Sequence, residues 1–202
     1  MKQVGLYFGT FNPVHIGHVV IANYMAHHTH LDEVWMVVTP HNPHKERANL
    51  LPDEHRLQMV RLAIFDNNKV WASDVEFSLP QPNYTIHTLE HLAATRADLE
   101  FTLIMGEDNL RKLHHWKGYE TIVKKYPILV YPRALTEGED PSMETSVSGA
   151  NITVCNAPMI RISSTFLRNS ILEHKDVRYL IPDKVIAYIS NNYLYEDQNA
   201  ES

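Results

Sequence analysis

His15 and His18 stand three residues apart in the run Gly9-Thr10-Phe11-Asn12-Pro13-Val14-His15-Ile16-Gly17-His18. Imidazoles at that spacing can bond the same anionic group. Phosphate suits such a pair at the start of a helix, where the first backbone N–H groups lack internal partners and the helix dipole is positive. The apolar run Val4-Gly5-Leu6-Tyr7-Phe8 before it reads as a buried strand, and Val19 to Ala26 after it reads as a helix. The two rings are therefore expected on one face of a helix start just past a strand. Pro13 fixes the turn and can begin the helix, and Gly17 keeps side-chain bulk away from a ligand. A lone His-x-x-His is more often a surface pair than a catalytic one; the strand and turn before it shift that balance.

Ile162-Ser163-Ser164-Thr165-Phe166-Leu167-Arg168 carries a second set of anion donors. Three hydroxyl residues at a helix start lie one turn before a guanidinium whose planar fork reaches the same oxygens. An ordinary serine N-cap explains the segment equally well when it is taken alone.

The elements that must position these residues alternate between strand and helix. Strands are expected at Val34–Val38, Val70–Ala72, Phe101–Gly106, Ile128–Tyr131 and Ile152–Cys155. Helices are expected from Pro52, over Tyr84 to Arg96, from Glu107 to near Trp116, over Tyr119 to Lys125, from Ser163 to about Leu172, and from Pro182. That order implies an α/β fold, Rossmann-like and doubly wound, with a mostly parallel sheet covered on both faces. Ligands of such sheets bind beyond the carboxyl ends of strands. Four marked segments fall there: Gly9 to His18, Thr39 to Lys45, Gly106 to Asp108 and Ile162 to Arg168. One domain over 1–195 is expected, with a polar tail over 196–202 and an acidic, Ser-rich loop over 137–149, both without the apolar content to order them.

Composition bounds the rest. A chain of 202 residues with 44% hydrophobic residues can bury one sizeable core. No apolar run reaches the length of a membrane span, and the N-terminus is a strand rather than a signal peptide. One cysteine, Cys155, excludes an intramolecular disulfide framework and fits a reducing cytoplasm. The net charge of −6 argues against broad nucleic-acid binding while leaving room for a local basic pocket. Thirteen histidines suggest metal, yet neither Cys pairs nor a His-Glu-x-x-His spacing supports a zinc site. Nothing here selects between a monomer and a homo-oligomer.

The first run resembles the nucleotidyltransferase signature Gly-Thr-Phe-Asp-Pro-x-His-x-Gly-His, with Asn12 where Asp is common and Phe8 where Gly is common. Ile162 to Arg168 resembles the Ile-Ser-Ser-Thr-x-x-Arg motif of the same adenylyltransferases. Asn42-Pro43-His44-Lys45, Tyr84-Thr85-Ile86-His87-Thr88-Leu89, and Met105-Gly106-Glu107-Asp108 through His115-Trp116-Lys117 are similar to segments of the nicotinate-nucleotide adenylyltransferases. The likeness runs from about Val4 to about Leu194. It implies adenylyl transfer from ATP to nicotinate mononucleotide, with Mg²⁺ accompanying ATP. His15, His18 and Arg168 would be catalytic. Gly9, Thr10, Phe11, Ser163, Ser164 and Thr165 would join them around ATP. Asn42, Lys45, Thr85, Gly106, Asp108 and Trp116 would bind the mononucleotide, with Trp116 stacking on the pyridinium ring. Another transferase of the superfamily, a dual-specific enzyme and a non-catalytic nucleotide sensor are the alternatives. A class I synthetase is excluded, because no Lys-Met-Ser-Lys-Ser loop is present.

Overall fold

The computed structural model describes residues 1–41, 50–133 and 149–196. Asn42, Lys45, nearly all of the acidic loop and the tail past Glu196 lie outside the described residues.

The strands are β1 Lys2–Gly9, β2 Glu33–Val38, β3 Val70–Ser73, β4 Leu99–Gly106, β5 Ile128–Tyr131 and β6 Ile152–Val154. They form one six-stranded sheet in the order β3-β2-β1-β4-β5-β6. Every pairing is parallel, with Tyr7 opposite Met36 on one side and Ile104 on the other. The sheet grows outward from β1 in both directions, so the crossovers diverge between β1 and β4. That divergence opens a crevice at their carboxyl ends.

Alternation along the strands divides the core between the two faces of the sheet. Tyr7, Val34, Met36, Ile104 and Leu129 point to one face. It is covered by α1 Ile16–His28, α2 Asp53–Ala63, α6 Ser164–Leu172 and α7 Asp183–Asn191. Val4, Leu6, Val37, Leu103 and Val130 point to the other. It is covered by α3 Thr85–Thr95, α4 Glu107–Arg111 and α5 Tyr119–Lys125. Ile86, Leu89 and Leu92 supply the apolar stripe of α3.

Two local expectations are corrected. The helix expected from Glu107 to Trp116 is broken at Lys112, and a 3-10 turn spans Leu113–His115. Leu110 and Leu113 both enter the core, and the three-residue period of a 3-10 turn aligns residues at that spacing. Pro13 does not begin α1. His15 is its N-cap in extended conformation, with φ −141° and ψ 172°.

Candidate active site

The crevice holds a cleft of about 620 Å³ lined by described residues from each of the four marked segments, Thr39 and His41 standing for the second and Asp108 for the third. At the end of β1, the carbonyl of Gly9 accepts from the Thr39 amide at 2.9 Å, which ties the loops after β1 and β2. Phe11 is buried with φ +45°, and its ring meets those of Tyr7 and His18 edge-on at 5.8 and 5.0 Å. A positive φ is strained for a phenylalanine, so the packing of its ring must hold it there.

The two histidines do not share a helical face, because His15 precedes the helix. Their rings stack instead at 3.7 Å. The backbone N–H of His15 donates to Nδ1 of His18 at 3.2 Å. A neutral His18 therefore carries its proton on Nε2. Burial, with the nearby Arg133 cation second, holds the His15 pKa down at about 4, so this imidazole is neutral at pH 7. His15 Nδ1 is buried without a hydrogen-bond partner among the described residues.

Gly17 lines the cleft, and it serves a purpose beyond the expected one. A Cβ there would meet the His15 ring at 3.1 Å, so the bare backbone also accommodates the imidazole. The helix start is also less open than expected: the Ile16 amide donates to the Leu180 carbonyl at 3.0 Å and the His18 amide to that of His15 at 2.9 Å.

At α6, Ser163 is the N-cap, its Oγ accepting from the Phe166 amide at 3.2 Å. Ser164 Oγ donates to the Pro13 carbonyl at 3.0 Å, and Arg168 Nη1 donates to the Asn12 carbonyl at 2.8 Å. Arg168 Nη2 reaches Thr165 Oγ1 at 3.4 Å. These side chains line the cleft, and two of them also grip the turn that carries the histidines. Asn12 itself is buried, its Oδ1 accepting from the Leu51 amide at 3.3 Å and from the Tyr195 hydroxyl at 2.7 Å.

At the far end of the cleft, Tyr84 caps α3 without a side-chain hydrogen bond and Thr85 is the first helical residue. Thr85 is thus not the cap, and its side chain lines the cleft. Trp116 also lines the cleft, while part of its ring packs on the core beneath α3. Lys117 Nζ lies 4.5 Å above the Tyr84 ring.

Gly106 is not in the wall of the cleft, but a Cβ on it would stand 2.5 Å from Asp108 Oδ1. Its role is to let Asp108 fold back over the end of β4. Asp108 Oδ1 is buried without a hydrogen-bond partner among the described residues, and Oδ2 lies 3.4 Å from Arg133 Nη1.

Several cleft residues gave no usable sequence signal. Arg56 is fully buried beneath the cleft. It donates to the carbonyls of Thr10 at 2.8 Å, Thr39 at 2.8 Å and Leu51 at 3.0 Å, and pairs with Asp53. In the sequence it is one more polar residue of an amphipathic helix. Tyr7 and Tyr131 face each other with their hydroxyls 3.5 Å apart, and burial raises the pKa of both. Glu76 is buried, accepts from Thr88 Oγ1 at 2.6 Å, and has its carboxyl pKa raised by burial against the hydroxyls of Thr88 and Thr39. Asn83 exchanges hydrogen bonds with the backbone of His41 at 3.2 and 3.1 Å. Pro80-Gln81-Pro82-Asn83 is a turn-forming run, but nothing in it names this partner.

Among the ionisable side chains described in the cleft lining, the cations Arg133, Arg168 and Lys117 outnumber the acids Glu76 and Asp108, and three histidines, His15 neutral among them, add ring nitrogens. A chain of net negative charge therefore presents a site for anions. No group of three or more His, Cys, Asp or Glu side chains that could hold a metal ion occurs among the described residues. Of the clustered histidines, His27, His28, His30, His114 and His115 are exposed. No helix among the described residues is long and apolar enough to cross a membrane.

Comparison with known proteins agrees with this geometry. A cytidylyltransferase-like family model matches residues 6–170. A Flavobacterium johnsoniae protein named "Probable nicotinate-nucleotide adenylyltransferase" is 53% identical over 194 residues, covering 96% of this chain and 99% of its own length. A Bacteroides fragilis protein of the same name is 46% identical over 179 residues, covering 89% and 87%. Among solved structures, the Plasmodium falciparum nicotinic acid mononucleotide adenylyltransferase complexed with NaAD superposes with a TM-score of 0.80 at 21% identity. That likeness covers 96% of this chain and 98% of the other, and it bears on the fold.

Proposed function

Because the chain belongs to the nicotinate-nucleotide adenylyltransferases, within the cytidylyltransferase-like family, we propose that its cleft transfers the adenylyl group of ATP to nicotinate mononucleotide. The observation that carries the site assignment is the convergence of segments far apart in sequence on one basic cleft at the divergence point of the sheet.

The 5′-phosphate oxygen of the mononucleotide attacks the α-phosphorus of ATP in line. A new P–O bond forms, the bond to the β-phosphate bridging oxygen breaks, and pyrophosphate leaves with the electron pair. A phosphate monoester is largely dianionic near pH 7, so no protein nucleophile or strong base is needed. The protein contributes position and charge stabilisation. His18 Nε2–H is a donor whose tautomer the backbone has already set. His15, neutral and stacked on it, offers its second ring nitrogen without the repulsion of two adjacent cations. Ser163, Thr165 and the remaining donors of Arg168 face the outer phosphates. Gly9, Thr10 and Phe11 shape the nucleotide wall.

Thr85 and the α3 amides face the pyridine substituent, Trp116 offers its ring plane, and Asp108 with Arg133 stands between the two substrates. Asp108 would be the acidic side chain to assist a Mg²⁺ brought in with ATP, since no group of acidic side chains among the described residues would hold the ion alone. When bound, the ion neutralises phosphate charge. Residues 1–195 act in this reading as one catalytic domain of a cytoplasmic enzyme.

Pyrophosphate release from ATP, measured with nicotinate and nicotinamide mononucleotides side by side, tests the reading. A donor-lined pocket favours the carboxylate through charge-assisted hydrogen bonds, so a kcat/KM preference for the acid of at least about tenfold is expected. Trp116→Ala should lower efficiency with both. Equal efficiencies would make the enzyme dual-specific, and no release with either would refute the assignment.

A further inference from the structure

The family model matches the chain only to residue 170, yet the C-terminal segment reaches the Asn12 side chain behind the cleft wall. After α7 the chain turns through Tyr193 and Tyr195, both with positive φ, at +50° and +64°. Leu194 between them is buried in the core, and the Tyr195 hydroxyl arrives 2.7 Å from Asn12 Oδ1. Donor and acceptor are unambiguous. The Leu51 amide also points at Oδ1, at 3.3 Å, and a backbone N–H can only donate. The acceptor is therefore the amide oxygen and Tyr195 is the donor. Burial raises the Tyr195 pKa, which keeps the hydroxyl protonated.

Asn12 is the residue at which two other parts of the site meet, since its carbonyl takes Arg168 and the next carbonyl takes Ser164. We infer that Tyr195 is a positioning residue for ATP: its hydroxyl fixes the Asn12–Pro13 turn from below while Arg168 and Ser164 hold it from above, and so sets the distance between the His15–His18 pair and α6. The amide oxygen of Asn12 thus accepts from both Tyr195 and the Leu51 amide. The inference rests on the reading of this turn as the ATP phosphate seat.

Tyr195→Phe removes one hydroxyl and keeps the ring. The matched control is Tyr188→Phe, which removes a hydroxyl 2.8 Å from His55 Nδ1. Neither of those two residues lines the cleft. Tyr195→Phe should lower kcat/KM for ATP roughly three- to tenfold with the mononucleotide KM unchanged. Tyr188→Phe should leave both KM values unchanged and alter only the thermal midpoint.

Calorimetric titration with ATP alone gives the same comparison without turnover, so an inactive wild-type chain would refute the function without deciding the role of Tyr195. An ATP affinity and kcat/KM within twofold of wild type for Tyr195→Phe would overturn the inference. Equal losses for both substrates, or equal losses in both tyrosine variants, would do the same, since a purely structural hydroxyl acts in that way.

Discussion

The two ends of the cleft are built differently. At the end we assign to phosphate, many polar groups are tied before a ligand arrives: Arg56 to four carbonyls, Arg168 and Ser164 to the Asn12–Pro13 turn, His18 to the His15 amide, Tyr195 to Asn12. At the pyridine end Thr85 caps nothing, Trp116 is half-buried, and Lys117 is exposed above Tyr84. Chemistry at phosphorus gains from donors that need no reorganisation in the transition state. Recognition of a flat ring needs a plane and a few donors, and tolerates side chains that settle on binding.

The largest effect is expected where the phosphate end is anchored. Arg56→Met strips four backbone carbonyls of their donor and should cost about 3–5 kcal/mol in denaturant unfolding, together with ATP-dependent activity. A variant as stable as wild type would show the buried guanidinium to be dispensable.

His15 should make that end acid-sensitive. Its native pKa of about 4 lies below the ordinary 6.5, so the unfolded chain binds more protons between those values. Stability from the neutral His15 is complete above pH 6.5 and is lost as pH falls toward 4, by roughly 3 kcal/mol in all. His15→Gln should flatten that part of the stability profile. An unchanged slope would place the titration elsewhere.

His18→Ala should reduce kcat by about 10²-fold or more through loss of an oriented donor. Its ring also contacts Phe11 and Tyr7, so a stability loss of about 1 kcal/mol is expected, rather more than for a solvent-facing residue. A folded variant at near wild-type rate would remove His18 from the reaction.

The smallest effect belongs to the pyridine end. Lys117→Met should lower kcat/KM for the nicotinate substrate only about two- to fivefold, because exposed charge pairs are weak, and leave the nicotinamide substrate unaffected. A large loss with both would show that this end is as rigid as the other.

The sequence by itself determined the strand-helix alternation, the parallel sheet and the placement of both phosphate motifs at strand ends. Those features follow from local periodicity, capping residues and apolar runs. β5 Ile128–Tyr131 and α5 Tyr119–Lys125 match their expected limits for that reason. The tertiary structure alone decided what those residues touch. It made His15 an extended cap, broke the helix after α4, set Gly17 against the His15 ring, brought Glu76 and Arg133 to the cleft, and put Arg56 and Tyr195 behind its wall. The contacts of Arg56, Glu76, Arg133 and Tyr195 join residues distant in the chain, and no local pattern encodes a partner that only packing brings near.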